Sequence, residues 1–589
     1  MPQLWKIVGG ADKGGILVRD GESISSKQIT ERLSTGALVE EAELRGQRLS
    51  YRRMTGAGPA RGWISILASG KNLAVRVSEP SVDSSFAAPL APAAAHELPP
   101  HITCALASGV PRKLRPSTEV AAGLRPPTKR LGPLMPTENR KEFFQRAARR
   151  LRGDIFGLLF PATPEEFVTE EFGARWLTDA FHRAGTLPAD NRVVRITWWR
   201  RFEGGGSGPK TLFTVEYEKP DETLDTRLFM KQPYTIEENK TQRFIEEGQC
   251  RFGDVHGGEI TFYQWISPHV PFSVPKYYFG DQNRESTESC LINAAMDWPE
   301  TGSTASAYDL LPPCAKCEDW RLPDSHEYYF ALMRRLGMLA GLEKAGHLGP
   351  DVRGLPWTPY QHFDAKREPG LALHLKQFVE EVSPQIWAER VRSKKFWTQF
   401  EGAMDLVAKC SNDIGKYQYD NPLYVGFGHA NGNTDNAYFF RDQDGRMDCG
   451  LLDWGQTGFM PYADEFQNSF ASSLGEMLAE YDDRLIQAFA DAYHEAGGPN
   501  LDVEELILRW RLSFASGLQA MLPMVIPFLS EKHPQGRSFW KGIRAYNDDA
   551  IISNFTLNFG VSMLYNRVVL WSLRGETYLA SIEAWSREH

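Results

Sequence analysis

The sequence predicts a multidomain protein: a small N-terminal antiparallel β-barrel, a disordered linker, then a larger α+β region built as two lobes. Three observations carry that expectation. The 589 residues are too many for one ordinary domain. Short apolar runs separated by turn residues crowd residues 1–70, and a Pro-, Ala- and Ser-rich stretch follows over 71–138. From Asn139 onward, strand-like segments come first and long amphipathic helices after, the order of an α+β arrangement.

Residues 1–70 read as the strands WKIV, GILVRDG, ALVEEAEL, RLSYRRM and GWISI, short and closely spaced enough for a small barrel. The run resembles bacterial SH3-like modules on Leu17-Val18-Arg19, Leu33-Ser34-Thr35-Gly36, Tyr51 and Gly62-Trp63-Ile64. That resemblance implies peptide or glycan binding or simple docking, with a peptide or protein as the expected ligand, and no catalysis. Trp63, beside a strand end, is expected to pack in the core.

Residues 71–138 lack sustained apolar periodicity, cannot bury enough surface to offset the entropy of ordering, and read as a linker. Residues 139–300 form the expected first lobe. It opens with the helical patterns RKEFFQRAARRLRGDIFGLL and TPEEFVTEEFGARWLTDAFHRAG and continues as strands to about Asp281. Residues 301–589 carry long amphipathic helices interrupted by one β-hairpin, the expected second lobe. The basic run from Arg140 to Gly153 has helical spacing and charged faces, which suits a solvated helix better than a nucleic-acid or membrane patch.

Composition narrows the class. Hydrophobic content of 42% and aromatic content of 12% supply packed cores. A net charge of -9 and a pI near 5.9 argue against a nucleic-acid coat. The start, MPQLWKIVGGADKGG, lacks the apolar run of a signal peptide, and no stretch approaches the roughly 18 continuous apolar residues of a membrane span. Seven scattered cysteines suit a reducing compartment, so a cytoplasmic protein is expected. Cys314 and Cys317 have metal or redox spacing, but no second ligand pair stands at a suitable distance, and they read as loop thiols.

Chemistry concentrates between Phe427 and Gly455. HANGNTDN is a polar loop between apolar segments, and AYFFRDQDGRMDCGLLDWG reads strand, turn, strand, with Asp444-Gly445 as the turn. Asn436 ends the loop and Asp453 ends the second strand, so one rim of the hairpin carries an amide oxygen and a carboxylate. Hard cations such as Mg2+ take oxygens of this type, usually alongside substrate phosphates.

This spacing resembles the family of aminoglycoside phosphotransferases, choline kinases and ecdysteroid-kinase-like proteins, of protein-kinase-like fold. Their loop reads H-G-D-x-x-x-x-N, followed by a strand pair ending in I/L-D-W/F. Here His429, Ala430, Asn431 and Asn436 stand in the first motif, and Leu452-Asp453-Trp454 in the second. The resemblance implies Asn436 and Asp453 as metal ligands and puts Asn431 at the place of the catalytic base. His429 is expected to hold the loop backbone or to pack.

Upstream, VVRITWWRRFEGGGSGPKTLFTVEYEK contains the turn Gly204, Gly205, Gly206, Ser207 and Gly208, whose backbone N–H groups can approach phosphates closely. TRLFMKQ ends on Lys231, like the kinase lysine that pairs nucleotide α- and β-phosphates. Glu259, 28 residues on, is its candidate partner, with Glu246 and Glu247 as rivals. VPFSVPKYYFGD resembles the strand after the glutamate's helix, and Asn293 to Met296 fall where a hinge would meet adenine. YYFALMRRLGMLAGLEKAGH resembles the family's L-A-x-L-H helix, with Leu342-Glu343 in place of Leu-His. The C-terminal helices and MVIPFLSEKHPQG would line the pocket of an unidentified small-molecule acceptor. ATP and Mg2+ are the implied cofactors.

One residue breaks the pattern. An amide takes no proton near neutral pH, so Asn431 can act only through hydrogen bonds. Loss of a general base slows transfer by about 10^2 to 10^4 without forbidding it, because positioning and charge stabilisation dominate. Asp435 is either a substitute base or a solvent-facing turn residue. Three readings follow: an ATP-dependent small-molecule phosphotransferase with an atypical loop, a pseudokinase that binds nucleotide or a partner without transfer, or a docking protein acting through its SH3-like module.

Overall fold

A computed structural model describes residues 4–10, 13–53, 57–68, 71–77, 140–202, 208–239, 243, 255–296, 310–348, 352–355, 357–359, 367–442 and 444–589. The chain divides into two compact units, Met1–Leu98 and Pro99–His589. Most of the expected linker, residues 78–138, lies outside the described residues, as do Gly204, Gly205, Gly206, Ser207, Glu246 and Glu247.

The first unit contains β1 (Leu4–Ile7), β2 (Ile16–Arg19), β3 (Gln28–Leu33), β4 (Leu38–Arg45), β5 (Arg48–Arg53) and β6 (Arg61–Ser65). After the small pair β7 (Leu67–Ala68) and β8 (Lys71–Asn72) comes β9 (Ala74–Val77). Seven of these form an antiparallel sheet in the order β3-β2-β6-β5-β4-β1-β9. Alternation along the strands sends Ile7, Val18, Val39, Leu49, Tyr51 and Ile64 into one core. The sheet is antiparallel as expected, but it does not close into a barrel: β3 and β9 end the order and are not paired with each other. Trp63 is half-buried, and Trp5 is the tryptophan in the core. Two strands escape the sequence reading. QITERL in β3 is too charged to look apolar, and AVRV in β9 sits at the start of the expected linker yet pairs with β1 along its whole length.

In the second unit, α1 (Arg140–Ala147) stops well short of the helix expected through Leu159. The Asp281 carboxylate accepts the backbone N–H groups of Ile155 and Phe156 at 2.9 and 2.8 Å, capturing that segment out of a helix. α2 (Gly173–Ala184) turns Trp176, Leu177, Ala180 and Phe181 inward. Phe181 meets Tyr278 at 5.3 Å between centroids, and Trp176 meets Phe279 at 5.4 Å. The helix therefore covers one face of a five-stranded antiparallel sheet. Its strands are β10 (Val193–Phe202), β11 (Lys210–Tyr217), β12 (Arg227–Lys231), β13 (Tyr277–Gln282) and β14 (Ser289–Ala294), in the order β10-β11-β12-β14-β13. Between β12 and β13 lies α3 (Val255–Thr261), which runs on as a π turn over Phe262–Ile266.

The rest of the unit is mainly helical. α4 (Ser325–Lys344) is its central helix. α5 (Lys394–Asp420) leads through Pro422–Tyr424 into β16 (Val425–Gly428), which joins β15 (Thr358–Pro359) and β19 (Gly458–Pro461) in a small sheet. The hairpin of β17 (Ala437–Arg441) and β18 (Met447–Leu451) pairs Ala437 with Leu451 and Arg441 with Met447, as its alternation predicts. α6 (Tyr462–Ser469), α7 (Gly475–Glu495), α8 (Val503–Met521) and α9 (Phe555–Glu588) complete the lobe. α4 and α7 cross closely because Gly337 and Gly341 lie against the carbonyls of Phe489 and Tyr493, where a Cβ would meet each oxygen at 2.2 Å. One helical stretch, Val503–Leu529, is long and apolar enough to cross a membrane by length and composition alone, and half of its apolar window is buried inside the unit. Counting uninterrupted apolar residues passed over it because polar residues punctuate the run.

Candidate active site

The strand pattern of β12 buries Leu228 and Met230 on one face and leaves Lys231 on the other, over the cleft. There its ammonium is held from two directions. Glu259 of α3 accepts at 2.9 Å, and Asp453, just beyond β18, accepts at 2.8 Å. Burial would depress the lysine, but Asp453 and Glu259 together raise it above its ordinary value. Asp453 in turn is held well below the usual carboxylate range: burial opposes ionisation, and the Lys231 charge overcomes it. Glu246 and Glu247 lie outside the described residues, and Glu259 is the described partner.

Asp453 adopts left-handed backbone angles, φ 63° and ψ 60°, and Ala430 likewise has φ 61°. Such non-glycine residues store on the order of 1–3 kcal/mol and persist where their surroundings over-determine them. The surroundings are visible. Trp454 stacks on Phe262 at 3.6 Å between centroids. Gly455 packs so tightly on α3 that a Cβ at Gly258 would lie 2.8 Å from its carbonyl oxygen. The helix carrying Glu259 and the turn carrying Asp453 are thereby fixed against each other.

The loop from His429 to Asn436 is held from beneath. His429 is fully buried, bonds the Leu452 carbonyl through Nε2 at 2.7 Å and packs on Trp454. Burial lowers its pKa to about 4, so it is a neutral support for the loop, away from the reacting side. Glu465 of α6, 1% exposed, accepts the Ala430 N–H at 2.8 Å. Sequence reading missed this carboxylate, whose only signal is its place in the polar stretch YADEFQ after the small β19. Asn436 donates Nδ2 to the Asn431 carbonyl at 2.8 Å, which leaves its Oδ1 for a ligand. Asn431 donates to Asp453 Oδ2 at 3.4 Å and accepts from Asn433 at 2.9 Å.

Asp435 shares the Thr434–Asn436 turn with Asn436. It is mostly buried, which contradicts the solvent-facing alternative. Its Oδ2 pairs with Lys316 at 3.2 Å, and its buried Oδ1 has no hydrogen-bond partner among the described residues. Burial raises its pKa, against the pull of Lys316. The segment around Lys316 is no free loop. Thr434 donates to Asp319 at 2.7 Å and to Cys314 Sγ at 3.6 Å, and Tyr329 also donates to Asp319, at 2.9 Å. Cys314 and Cys317 are free thiols whose pKa values burial pushes up, to about 12 for Cys317, so they pack beside the loop as un-ionised groups.

Of the glycine turn expected to approach phosphates, only Gly208 is described, at φ 133°. Lys210, which donates to the Gly208 carbonyl at 2.7 Å, is the cross-strand partner of Lys231 and contributes to holding Asp453 ionised. It too went unread, although it follows the glycine turn directly. In the expected hinge, the N–H groups of Ala294 and Ala295 are engaged by the carbonyls of Lys276 and Arg227, at 2.8 and 3.1 Å. Those two amides are therefore not open to an adenine edge.

The donor set fits a magnesium ion brought in with phosphates. Asn436 offers an amide oxygen and Asp453 a carboxylate, both hard ligands. Among the described residues no cluster of three or more His, Cys, Asp and Glu side chains could hold a metal by itself.

No protein-family model and no curated protein matches the chain. Its structural neighbours are small-molecule kinases and phosphotransferases at low sequence identity. A microcompartment-associated aminopropanol kinase has 9% identity and a TM-score of 0.32, over 65% of this chain and 93% of that one. A choline/ethanolamine kinase family protein from Mesorhizobium loti has 11% identity and a TM-score of 0.32, over 66% and 92%. A spectinomycin phosphotransferase, solved with ADP and spectinomycin, has 10% identity and a TM-score of 0.31, over 64% and 95%. Overlaps this loose leave the chemistry to be read from the site itself.

Proposed function

We propose that the second unit is a nucleotide-dependent phosphotransferase acting on a hydroxyl of a small molecule, with an atypical catalytic loop. The observation that carries this is the Lys231 ammonium, held at once by Glu259 at 2.9 Å and Asp453 at 2.8 Å. An ion triad drawn partly out of water contributes little to a fold, since desolvation and solvent screening offset most of its Coulomb gain. It is a good way to aim a lysine at nucleotide phosphates. Asn436 and Asp453 would hold the magnesium ion, which supplies charge neutralisation for those phosphates.

Asp435 supplies the carboxylate that Asn431 lacks. Its side chain is 15% exposed, and an acceptor hydroxyl reaching it there could pass its proton to the carboxylate as the oxygen attacks phosphorus. Asn431 positions the loop through its bonds to Asp453 and Asn433. A nucleotide-binding protein without transfer is the second reading, favoured by that same Asn431, whose amide is engaged on both sides.

Calorimetry and thermal shift on the full chain, with ATP in the presence and absence of Mg2+, test the proposal. Magnesium-dependent binding that disappears in Asp453→Ala is the expected outcome, and silence from the intact protein would refute it. An acceptor screen then separates the two readings: turnover lost in Asp435→Asn supports transfer, and binding without turnover supports the second.

A further inference from the structure

We propose that Lys316 is a catalytic residue of this phosphotransferase site, the cation that meets the phosphoryl group in transfer. The inference rests on the reading above and assigns a group that lies outside its loop and hairpin motifs.

Placement comes first. The Lys316 ammonium lies 3.2 Å from Asp435, in the turn that also carries the metal-facing Asn436. Lys231 sits on Asp453, the other ligand, at 2.8 Å. The two lysines thus reach the loop and hairpin carboxylates from separate elements, one from the sheet of the first lobe and one from the segment before α4. A phosphoryl group passing from nucleotide to acceptor beside these carboxylates would have a cation on each side of its path.

The second point is that Lys316 is held. The turn around it closes with the Glu318 N–H on the Ala315 carbonyl at 3.0 Å. Asn558 of α9 donates to the Lys316 carbonyl at 3.3 Å, and the ammonium lies 5.6 Å from the centroid of the Phe559 ring. Asp319, bonded to Thr434 of the loop and to Tyr329 of α4, fastens the segment to both. Donors aimed in advance at developing charge need no reorganisation at the moment of reaction. Burial opposes the charge on Lys316, and Asp435 with the more distant Asp453 more than restores it.

The charges then follow the chemistry. The acceptor oxygen forms its bond to phosphorus while the bond from phosphorus to the bridging oxygen of the nucleotide breaks. The nucleoside diphosphate leaves with that electron pair, and the hydroxyl proton goes to Asp435. Lys316, held at 3.2 Å from Asp435, would meet the oxygens of the phosphoryl group as the new phosphate ester forms beside it.

Fluoroaluminate bound with ADP and Mg2+ imitates a phosphoryl group in flight, so calorimetry on the full chain tests the assignment. Lys316→Met is judged on the ratio of its ADP and Mg2+ affinities with and without fluoroaluminate. It should lose about ten- to a hundredfold of the added affinity that fluoroaluminate brings, the worth of a charged hydrogen bond, and Lys316→Arg should keep most of it. Lys316→Gln serves if the methionine variant does not fold. Equal weakening with and without fluoroaluminate, or none, would overturn the assignment and leave an ordinary ion pair. A wild type that binds ADP and Mg2+ but gains nothing from fluoroaluminate overturns it as well. A wild type that binds no ADP at all removes the phosphotransferase reading, and Lys316's role with it.

Discussion

Restoring the carboxylate at position 431 perturbs the site most informatively. The Asn431 amide donates to Asp453 Oδ2 at 3.4 Å, and Asn431→Asp replaces that donor with a like charge. At an effective dielectric of about 20, two unit charges at that separation repel by about 5 kcal/mol. Asp453 is 38% exposed at its side chain and has Lys231 at 2.8 Å, so solvent and the ammonium reduce the cost to about 2 kcal/mol. The nucleotide-free chain should therefore melt earlier than the wild type. A divalent cation between two carboxylates relieves the repulsion, and each 1.36 kcal/mol is tenfold, so Mg2+ affinity in the presence of ADP should rise about thirtyfold. Thermal denaturation without ligand and calorimetric Mg2+ titration at saturating ADP read the two effects. An unchanged melting temperature together with unchanged or weaker Mg2+ binding would refute the placement of Asn431 against a metal-binding Asp453.

Three further outcomes follow from the same geometry. Gly258→Ala puts a methyl 2.8 Å from the Gly455 carbonyl, so α3 must shift and nucleotide affinity should drop more than tenfold with the sheet intact by circular dichroism; wild-type affinity would show that the contact gives way cheaply. Lys231→Met strands the carboxylate of Glu259, 3% exposed, and should destabilise the unit by about 3 kcal/mol while abolishing nucleotide binding, and retention of either property would count against the triad. Burial holds Glu465 up at about 7 against an ordinary value of 4.5, so its share of stability is complete below pH 4.5 and is lost as pH rises through 7. Glu465→Gln should remove that fall, roughly 3 kcal/mol by linkage, and chemical denaturation at both pH values checks it, a flat wild-type profile being the contrary result.

What the sequence revealed and what it hid divide along contact range. His429, Asn431, Asn436 and Asp453 were legible because one hairpin fixes their mutual spacing, and its register came out as its alternation implied. Lys231 and Glu259 were legible by their order on a strand and the following helix. Lys316 was not, because the segment holding it meets the loop across 120 residues of chain, as Cys314 and Thr434 do, and nothing local distinguishes a lysine between two loop cysteines. Glu465 was hidden for a related reason: its partner is a backbone N–H, which leaves no trace in residue type. The first unit failed differently. Its strands were found where they were apolar and missed where charge or Pro-rich surroundings masked alternation, and closure of the sheet depends on edge pairings that no short motif encodes.

The charges of the cleft bear on why an asparagine stands at 431. Glu259 and Asp453 both face the Lys231 ammonium, and Asp435 faces Lys316, so each of these three carboxylates already has a cation beside it. A carboxylate at 431 would add a like charge against Asp453, which a divalent cation between the two would relieve. Lys231 is seated on Asp453, and the Asn431 amide donates to the same carboxylate. On the proposed reading, a magnesium ion would have to compete with Lys231 and Asn431 for Asp453, which would weaken metal affinity relative to a carboxylate-rich loop. The same reading would put the proton-accepting group further along the loop, at Asp435, a carboxylate paired with Lys316. An amide at 431 and a lysine at 316 are two parts of one redistribution of charge, and the fluoroaluminate and Mg2+ titrations measure its two ends.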